Sequence, residues 1–346
     1  FGAYKTPGCG FKLHKGCKSR RLAWQGVSAL ALCAYLHRGK TTVRQMTGSD
    51  WQGGSICAAH TSGHRAKRFY NNSASLMLVK CLTVLFLVAK QEGEMPTPSY
   101  FETAQGRKLA YHHTHGAGPA IVFLSGFKSD MDGTKAVHLQ AWAVRSGRAF
   151  LRFDYSGHGQ SSGDFSDGCI GDWTEDAAAA VCGLIDGPVI LVGSSMGGWI
   201  ALLLAQRLTQ GKVAGMVTIA AAPDFTEDSM WAGFSDAQRS ELQRLGQVAL
   251  PSDYDAPYVI TRRLIEDGRQ NLVLRAPLSL PFAVRFLQGT ADTDVEMSVA
   301  LRLLTHAVGS DMQLTLVDGA DHRFSDRSCL ALIERTVTEV SLLVVS

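Results

Sequence analysis

The sequence predicts an α/β protein with a doubly wound, mostly parallel sheet and a helical lid insertion. From about residue 100 onward, strand-like apolar runs alternate with helical patterns, which is the signature of a parallel sheet covered by helices on both faces. The run at 120–124 is continuously apolar, as central parallel strands are. The alternation is interrupted once, between Pro223 and about Pro281, where the sequence shows no convincing strand.

The elements of this region follow from the same patterns, taken in order along the chain. Strands are expected near 109–114, 120–125, 149–154, 189–194, 214–220, 283–288 and 312–317. The later strands contain Phe-Leu-Arg-Phe at 150–153, Val-Ile-Leu-Val at 189–192, Val-Arg-Phe-Leu at 284–287 and Leu-Thr-Leu-Val at 314–317. Helices are expected near 134–146, 172–185, 197–208, 296–307 and 326–344.

The interrupted interval contains amphipathic stretches with several large side chains. In a doubly wound fold, an insertion after the carboxyl end of a strand lies over the ligand crevice, so we interpret residues 224–281 as a lid. The alternative is an ordinary helical excursion whose aromatic side chains only pack on the sheet. The side chains concerned are Phe225, Met230, Trp231, Phe234, Tyr254 and Tyr258.

Residues 1–94 differ from the remainder in charge. They contain 14 Lys and Arg against 3 Asp and Glu, whereas residues 95–346 contain 20 against 28. The acidic balance of the second part gives no support for nucleic-acid binding. We therefore predict one domain at 95–346, long enough to bury about three quarters of its unfolded surface, preceded by a basic segment at 1–94 that is not a domain.

Three interpretations of residues 1–94 compete. Their Arg, Lys and Ser content and scarcity of acids are typical of a transit peptide, and the apolar run at 81–89 after Lys80 resembles a short signal segment. That run is too short to span a bilayer, so we expect no stable membrane span. The interpretation that we favour is that the natural product begins at Met95 and that the upstream residues are translated non-coding sequence.

The cysteines of the predicted domain bear on its compartment. Cys169, Cys182 and Cys329 are odd in number and widely spaced, which argues against a disulfide framework and for a reducing environment. Cys182 lies in an Ala-rich helical pattern and is expected in the core. We expect a cytoplasmic protein, or one of the mitochondrial matrix if residues 1–94 include a transit peptide.

A Gly-x-Ser-x-Gly motif occupies residues 193–197, between the apolar run at 189–192 and a helical segment at 198–205. This context predicts a nucleophile elbow with Ser195 exposed at the turn. The elbow needs small residues two positions before and after the serine, and Gly193 and Gly197 meet that need. The alternative is a glycine-rich turn without chemistry.

A serine nucleophile needs a histidine base and an acid, which in this fold follow the serine in the order acid, then histidine. Only His306 and His322 follow Ser195. His306 falls within a helical pattern and suits a structural role, whereas His322 follows a strand at the edge where catalytic loops gather, and we assign it as the base.

The acid is expected at the end of another strand. Asp292 and Asp294 both follow the strand that ends near residue 288, and we choose Asp292 because it lies nearer the strand end. Asp294 is the first alternative, although it also suits capping of the next helix, and Asp224 is a weaker one. The oxyanion is expected to be met by the backbone amides of Met196 and Phe127.

Four segments carry a resemblance to a known family: FLSGFKSDMDGTKA, RFDYSGHGQSSGDF, ILVGSSMGGW and DHR. Over roughly residues 100–345, the chain resembles the serine-hydrolase branch of the alpha/beta-hydrolase superfamily, and within it the mitochondrial palmitoyl-protein thioesterases and their bacterial relatives. The resemblance implies the alpha/beta-hydrolase fold and a Ser-Asp-His triad at Ser195, Asp292 and His322. It also implies acyl thioesters or acyl glucuronide esters as substrates.

The expected function is hydrolysis of carboxylic esters or thioesters through an acyl-enzyme on Ser195. The substrate is a small-molecule or lipidated-protein acyl compound. No glycine pattern for nucleotides and no metal-ligand spacing is found, so we expect no cofactor and no metal. The alternatives are a carbon–carbon bond hydrolase with the same triad, and a binding protein that keeps the fold without catalysis. The sequence does not determine the acyl-chain length and leaving group of the substrate, or the oligomeric state of the protein.

Overall fold

The computed structural model describes residues 97–250 and 258–345, together with the backbone of two short strands nearer the start of the chain. The chain divides between Leu85 and Phe86 into two units. In the first unit, strand β1 (Ala34–His37) pairs antiparallel with β2 (Lys40–Val43), a pairing that the sequence does not predict. The interpretations of residues 1–94 otherwise fall outside the described residues and stay predictions.

The second unit is built on an eight-stranded sheet with the order β14-β12-β8-β7-β5-β6-β4-β3. Neighbouring strands are parallel from β14 to β6. Strand β4 pairs antiparallel with β6, and β3 pairs antiparallel with β4. The strands of this unit are β3 (Ser99–Glu102), β4 (Lys108–Thr114), β5 (Ala117–Leu124), β6 (Arg148–Phe153), β7 (Val189–Ser194), β8 (Val213–Ile219), β9 (Gln247–Leu250), β10 (Tyr258–Thr261), β11 (Leu278–Ser279), β12 (Ala283–Gly289), β13 (Ala307–Val308) and β14 (Met312–Val317).

This sheet confirms the predicted fold class. Every strand expected from the sequence is present, and β3 adds an edge strand that the sequence does not predict. The central strands β5 and β7 are buried over almost their whole length, because helices cover both faces of the sheet. Their continuous apolar runs are therefore a direct consequence of two-sided burial.

In the described residues, seven helices accompany the sheet, and all five expected from the sequence are present within two residues of the predicted bounds. They are α1 (Thr134–Ser146), α2 (Ile170–Leu184), α3 (Met196–Arg207), α4 (Asp236–Leu245), α5 (Arg262–Gln270), α6 (Met297–His306) and α7 (Arg327–Val345). Helices α1 and α7 pack on one face of the sheet, and α2, α3 and α6 contribute to the core on the other face. None of the helices in the described residues is long and apolar enough to cross a membrane.

The insertion after β8 differs from expectation in one respect. It contains a π-helical turn (Thr226–Trp231), α4 and α5, but also an antiparallel pair, β9 with β10, so the absence of strands between Pro223 and Pro281 was a wrong prediction. Both strands have only four residues, and β9 buries a single side chain, Val248. A strand so short and so little buried leaves no recognisable apolar run.

The large side chains of the insertion pack against the same core as α2 and α3. Phe234 is buried, and Phe225, Met230, Trp231 and Tyr258 are partly buried. Tyr254 lies outside the described residues. The insertion is thus anchored to the body of the domain by these side chains, and its role as a lid stays a prediction.

The position of Cys182 was also predicted wrongly. This cysteine is exposed, whereas Cys169 and Cys329 are buried. The buried stripe of α2 includes Trp173, Ala177 and Ala180, which recur at helical spacing, and Cys182 lies on the opposite, solvent-facing side of the helix. The position of Cys182 in the helical repeat, rather than the alanine content around it, therefore determines that it is exposed.

Candidate active site

Ser195 lies at a sharp turn between the end of β7 and the start of α3. Its backbone has φ 53° and ψ −118°, a conformation that is strained for a residue with a side chain. A Cβ at Gly193 would lie 2.3 Å from the carbonyl oxygen of Gly197, and one at Gly197 would lie 2.0 Å from that of Leu124. Both positions therefore require glycine for the close approach of β7, α3 and β5, as the sequence predicts.

The structure brings Ser195, His322 and Asp292 together from three separate loops at the carboxyl edge of the sheet. The Ser195 Oγ lies 3.1 Å from His322 Nε2, and the His322 Nδ1 lies 2.9 Å from Asp292 Oδ2. These distances fit a chain in which the serine hydroxyl donates to the imidazole and the imidazole donates to the carboxylate. The Asp292 side chain is fully buried, and that of His322 is 23% exposed.

Hydrogen bonds surround the Asp292 carboxylate. Its Oδ1 accepts from the amides of Asp294, at 3.0 Å, and Val295, at 2.8 Å. Burial alone raises the pKa of Asp292, but the hydrogen bonds from His322, Val295 and Gln288 outweigh it and hold the pKa below its usual value. The carboxylate is therefore ionised at neutral pH and can orient the imidazole.

Gln288, the penultimate residue of β12, holds Asp292 from within the sheet. Its Nε2 donates to Asp292 Oδ2, at 3.0 Å, and to the carbonyls of Val295, at 3.0 Å, and Gly289, at 3.3 Å. Because all three neighbours are acceptors, the amide cannot be reversed, and its Oε1 remains buried with no partner among the described residues. Sequence reasoning missed this residue, although a glutamine within a buried strand was an available signal.

The alternative acids and base have other surroundings. Asp294 contributes its backbone amide to Asp292. Glu296 is the residue before α6, so Asp294 does not cap that helix. His306 is the last residue of α6, and its Nε2 lies 2.5 Å from the carbonyl oxygen of Ala276. Neither side chain is joined to Ser195 by a hydrogen bond.

Asp224 is fully buried at the base of the insertion. Its carboxylate accepts from the amides of Val273, at 2.8 Å, and Leu274, at 3.0 Å, and from Arg275 Nη1, at 3.0 Å. Burial raises the pKa of Asp224 even though these donors act in the opposite direction. The contacts join the two ends of the insertion, which gives Asp224 a structural part in this protein.

The loop after β5 lies beside the nucleophile. A Cβ at Gly126 would be 3.4 Å from that of Ser195, and the Ser129 amide donates to the Gly126 carbonyl to close a turn. No carbonyl of the described residues accepts a hydrogen bond from the amide of Phe127 or of Met196. Both amides are thus available to a ligand, and their part in binding an oxyanion stays a prediction.

The ring of Phe127 packs among other aromatic side chains. Its centroid lies 4.9 Å from that of Phe165, 5.6 Å from Phe225, 6.0 Å from Trp173 and 6.5 Å from Tyr258. Tyr258 and Phe225 belong to the insertion, so the insertion lies against the loop after β5. This cluster supplies an apolar surface close to the nucleophile.

Among the residues that the structure describes, five other than glycine have positive φ, and all of them follow the carboxyl end of a sheet strand. They are Lys128, Ser195, Ala220, Asp224 and Phe324. Backbone strain in the described residues is therefore concentrated around the site, which is where strain commonly has a functional role.

Comparison with known proteins agrees with this geometry. Residues 115–340 match the model of a family described as the alpha/beta hydrolase family. The chain is 31% identical to rat (Rattus norvegicus) mitochondrial palmitoyl-protein thioesterase ABHD10 over 70% of this chain and 82% of the relative.

Two solved structures are also similar. A protein from Agrobacterium vitis S4 is 38% identical, with a TM-score of 0.69 over 71% of this chain and all of that one. Mouse alpha/beta hydrolase domain-containing protein 10 is 29% identical, with a TM-score of 0.65 over 70% of this chain and 98% of that one. The resemblance inferred from the four sequence segments is confirmed. The chain is a hydrolase and belongs to the alpha/beta hydrolase family.

Proposed function

We propose that this protein hydrolyses carboxylic thioesters or esters through an acyl-enzyme on Ser195. The observation that carries the proposal is the unbroken chain of hydrogen bonds from the Ser195 hydroxyl through His322 to the buried carboxylate of Asp292. This series of hydrogen bonds joins a nucleophile to an ionised acid through a base, an arrangement that catalysis needs and ligand binding alone does not. A binding protein without catalysis is therefore the less favoured alternative.

The reaction follows from the positions of the protons. His322 Nε2 takes the proton of Ser195 Oγ as the oxygen attacks the acyl carbon, and Asp292 stabilises the imidazolium that forms. The same proton then passes to the departing thiolate or alkoxide, which leaves the acyl group on Ser195. Water repeats the sequence, giving its proton to His322 and releasing the carboxylic acid.

The negative oxygen of each tetrahedral intermediate needs hydrogen-bond donors already in place. We assign this part to the amides of Phe127 and Met196, which have no acceptor among the described carbonyls. Met196 begins α3, so the partial positive charge at the start of that helix adds to the stabilisation. Removing one such donor typically costs on the order of 10²–10³ in kcat.

Within this reaction class, acyl-protein thioesters and acyl-glucuronide esters are the proposed substrates. The relatives at about 30% identity are named palmitoyl-protein thioesterases, which supports the first class. The aromatic cluster around Phe127 offers apolar surface to an acyl chain next to the nucleophile. Carbon–carbon bond hydrolysis by the same three residues is the alternative within enzymes.

The test is a panel of S-acyl peptides, acyl glucuronides, aryl esters of graded chain length and a vinylogous diketone. Ser195→Ala is expected to lower kcat by about a million-fold, whereas its neighbour Ser194→Ala serves as the matched control and is expected to retain most activity. Cleavage of the diketone alone would replace the ester assignment with carbon–carbon hydrolysis. Absence of a fluorophosphonate adduct on the folded protein would favour the binding protein.

We infer a mitochondrial location in place of the cytoplasmic one expected first. The similar thioesterases carry the word mitochondrial in their names, and the basic, acid-poor composition of residues 1–94 is compatible with import. Imaging of a carboxyl-terminal fluorescent fusion of the full chain tests this inference. A diffuse cytoplasmic signal would restore the first expectation.

A further inference from the structure

Lys128 lies in the loop beside the nucleophile, within the turn that the bond from the Ser129 amide to the Gly126 carbonyl closes. Its side chain is exposed, and no carboxylate of the described residues forms an ion pair with it. Its φ of 55° is in the left-handed region, which glycine adopts without strain and lysine does not. The position thus carries a cationic side chain at a cost in backbone energy.

The ammonium group of Lys128 is held by aromatic rings. Its Nζ lies 4.6 Å from the centroid of Tyr258 and 5.1 Å from that of Phe165. With Phe127 and Phe225, these two residues form what we call the aromatic shelf, four partly buried rings grouped around Phe127. Cation–π contacts of this kind fix the position of the charge while leaving its N–H groups able to donate to a ligand.

We propose that Lys128 and the aromatic shelf form a substrate subsite that selects esters or thioesters carrying an anionic group, a carboxylate or phosphate, next to an apolar moiety. The inference rests on the proposed hydrolysis at Ser195 and specifies its substrate class. The shelf contacts the apolar part, and the Lys128 ammonium pairs with the anion through charge-assisted hydrogen bonds. Phe127 and Lys128 directly follow Gly126, whose Cβ position lies 3.4 Å from the Cβ of Ser195, so the loop that carries them begins beside the nucleophile.

A structural explanation for the same contacts is that Lys128 only fastens the insertion to the loop after β5 through Tyr258. The two explanations differ in their dependence on substrate charge. If Lys128 only holds the insertion to the loop, its replacement changes the hydrolysis of all substrates equally. If it belongs to a subsite, its replacement changes the hydrolysis of anionic substrates selectively. The selectivity of the subsite also weakens with salt, because the screening length falls from about 10 Å at 0.1 M to about 3 Å at 1 M ionic strength.

The experiment compares two pairs of esters that differ only in charge. In the first pair the charge is on the acyl side: 4-nitrophenyl hydrogen glutarate and its methyl ester. In the second it is on the leaving group: 4-carboxyphenyl butanoate and its methyl ester. The ratio of kcat/KM between anionic and neutral members is measured for the wild type, Lys128→Met and Lys128→Arg. Dividing the wild-type ratio by the variant ratio cancels the intrinsic reactivity of each ester.

Lys108→Met is the matched control, because Lys108 also lies over an aromatic ring, 4.2 Å from the centroid of Tyr100, but at the far edge of the sheet. We expect Lys128→Met to lower the charge preference about fivefold in one of the two pairs, which is the effect of a unit charge at about 4 Å in water. The pair affected identifies the side of the substrate that bears the anion. Lys128→Arg and Lys108→Met are expected to keep the wild-type ratio. In these two variants and in the wild type, 1 M NaCl is expected to reduce the ratio, and in Lys128→Met it is expected to have no such effect.

An equal loss for anionic and neutral esters in Lys128→Met would overturn the subsite and leave Lys128 only the role of holding the insertion to the loop after β5. Unchanged kcat/KM for all four esters would overturn the subsite as well. These outcomes leave the proposed hydrolysis intact, because the wild type still cleaves the neutral esters. A wild type that cleaves none of the four, and forms no adduct at Ser195, would instead refute the proposed function and the subsite with it.

Discussion

Replacing Gln288 by Met removes the amide that holds the Asp292 carboxylate from within the sheet. The lost hydrogen bond, 3.0 Å from Nε2 to Asp292 Oδ2, goes to an ionised group and is worth about 1.5–3 kcal/mol. Because this bond favours the carboxylate over the acid, its loss raises the pKa of Asp292. Asp292 remains ionised at pH 7, but its orientation toward His322 is less constrained. We expect kcat to fall by about tenfold. We also expect the acid limb of the pH–rate profile to move to higher pH.

Stability is expected to change much less than activity. Since the pKa of Asp292 is lowered by folding, its ionised form stabilises the protein above the unfolded pKa, about 3.9, and this contribution disappears as the pH falls through the folded pKa. The variant loses part of that contribution at neutral pH. It also loses the buried, unpartnered Oε1 of Gln288, whose presence costs about 1–3 kcal/mol. The first change, together with the loss of the Nε2 bonds to the carbonyls of Val295 and Gly289, destabilises the variant, whereas the second stabilises it. We therefore expect the melting temperature to fall by no more than about 4 °C.

The assay combines kcat/KM from pH 4 to 9 with thermal unfolding. Gln140→Met is the matched control: Gln140 Oε1 accepts from the Nε of Arg152, a residue only 2% exposed, outside the site. This control should be destabilised, because it leaves a buried guanidinium nitrogen unpaired, while its kcat stays at the wild-type value. If Gln288→Met kept both the wild-type kcat and the wild-type acid limb, our account of Gln288 would be refuted.

Three further predictions concern stability. Asp224→Asn is expected to lower the free energy of unfolding in urea by about 2 kcal/mol with kcat unchanged, since one amide donor would face a buried NH₂ group; a large loss of kcat with normal stability would make Asp224 the catalytic acid. Burial lowers the pKa of His158 to about 4, against about 6.5 unfolded, so between these values only the unfolded chain takes up the proton. Stability should therefore fall by about 3 kcal/mol from pH 6.5 to pH 4, and a flat urea midpoint over this range would contradict the burial argument. Gly197→Ala should yield no folded, fluorophosphonate-reactive protein, because the added methyl would meet the carbonyl of Leu124 at 2.0 Å; recovery of a labelled, soluble variant would show that the elbow can relax.

The sheet and the nucleophile elbow could be predicted from sequence because their physical causes are local. Two-sided burial produces continuous apolar runs such as that of β5, and the turn at Ser195 needs glycines at fixed spacing. The sequence specified the pairing of Asp292 with His322 less clearly than the elbow, because Asp294 offers the same carboxylate two residues away. Only the direction in which the loop turns after β12 separates the two carboxylates.

Other features depend on contacts that are distant in sequence. The pairing of β9 with β10 has too few buried positions to leave a pattern, and the structural part of Asp224 depends on amides about fifty residues later. The partners of Gln288 are set by the same loop that positions Asp292. Such contacts are formed by the tertiary fold, so periodicity and spacing in one sequence do not contain them.

The clustering of positive φ angles around the site has a consequence for engineering. A directed-evolution campaign that screens only for heat resistance will find glycine an easy gain at such positions, because glycine relieves the strain. At Ser195 that gain removes the nucleophile, and at Lys128 it removes the proposed anion contact. Libraries built to make this enzyme more robust therefore need a turnover screen from the first round, with these backbone positions held fixed.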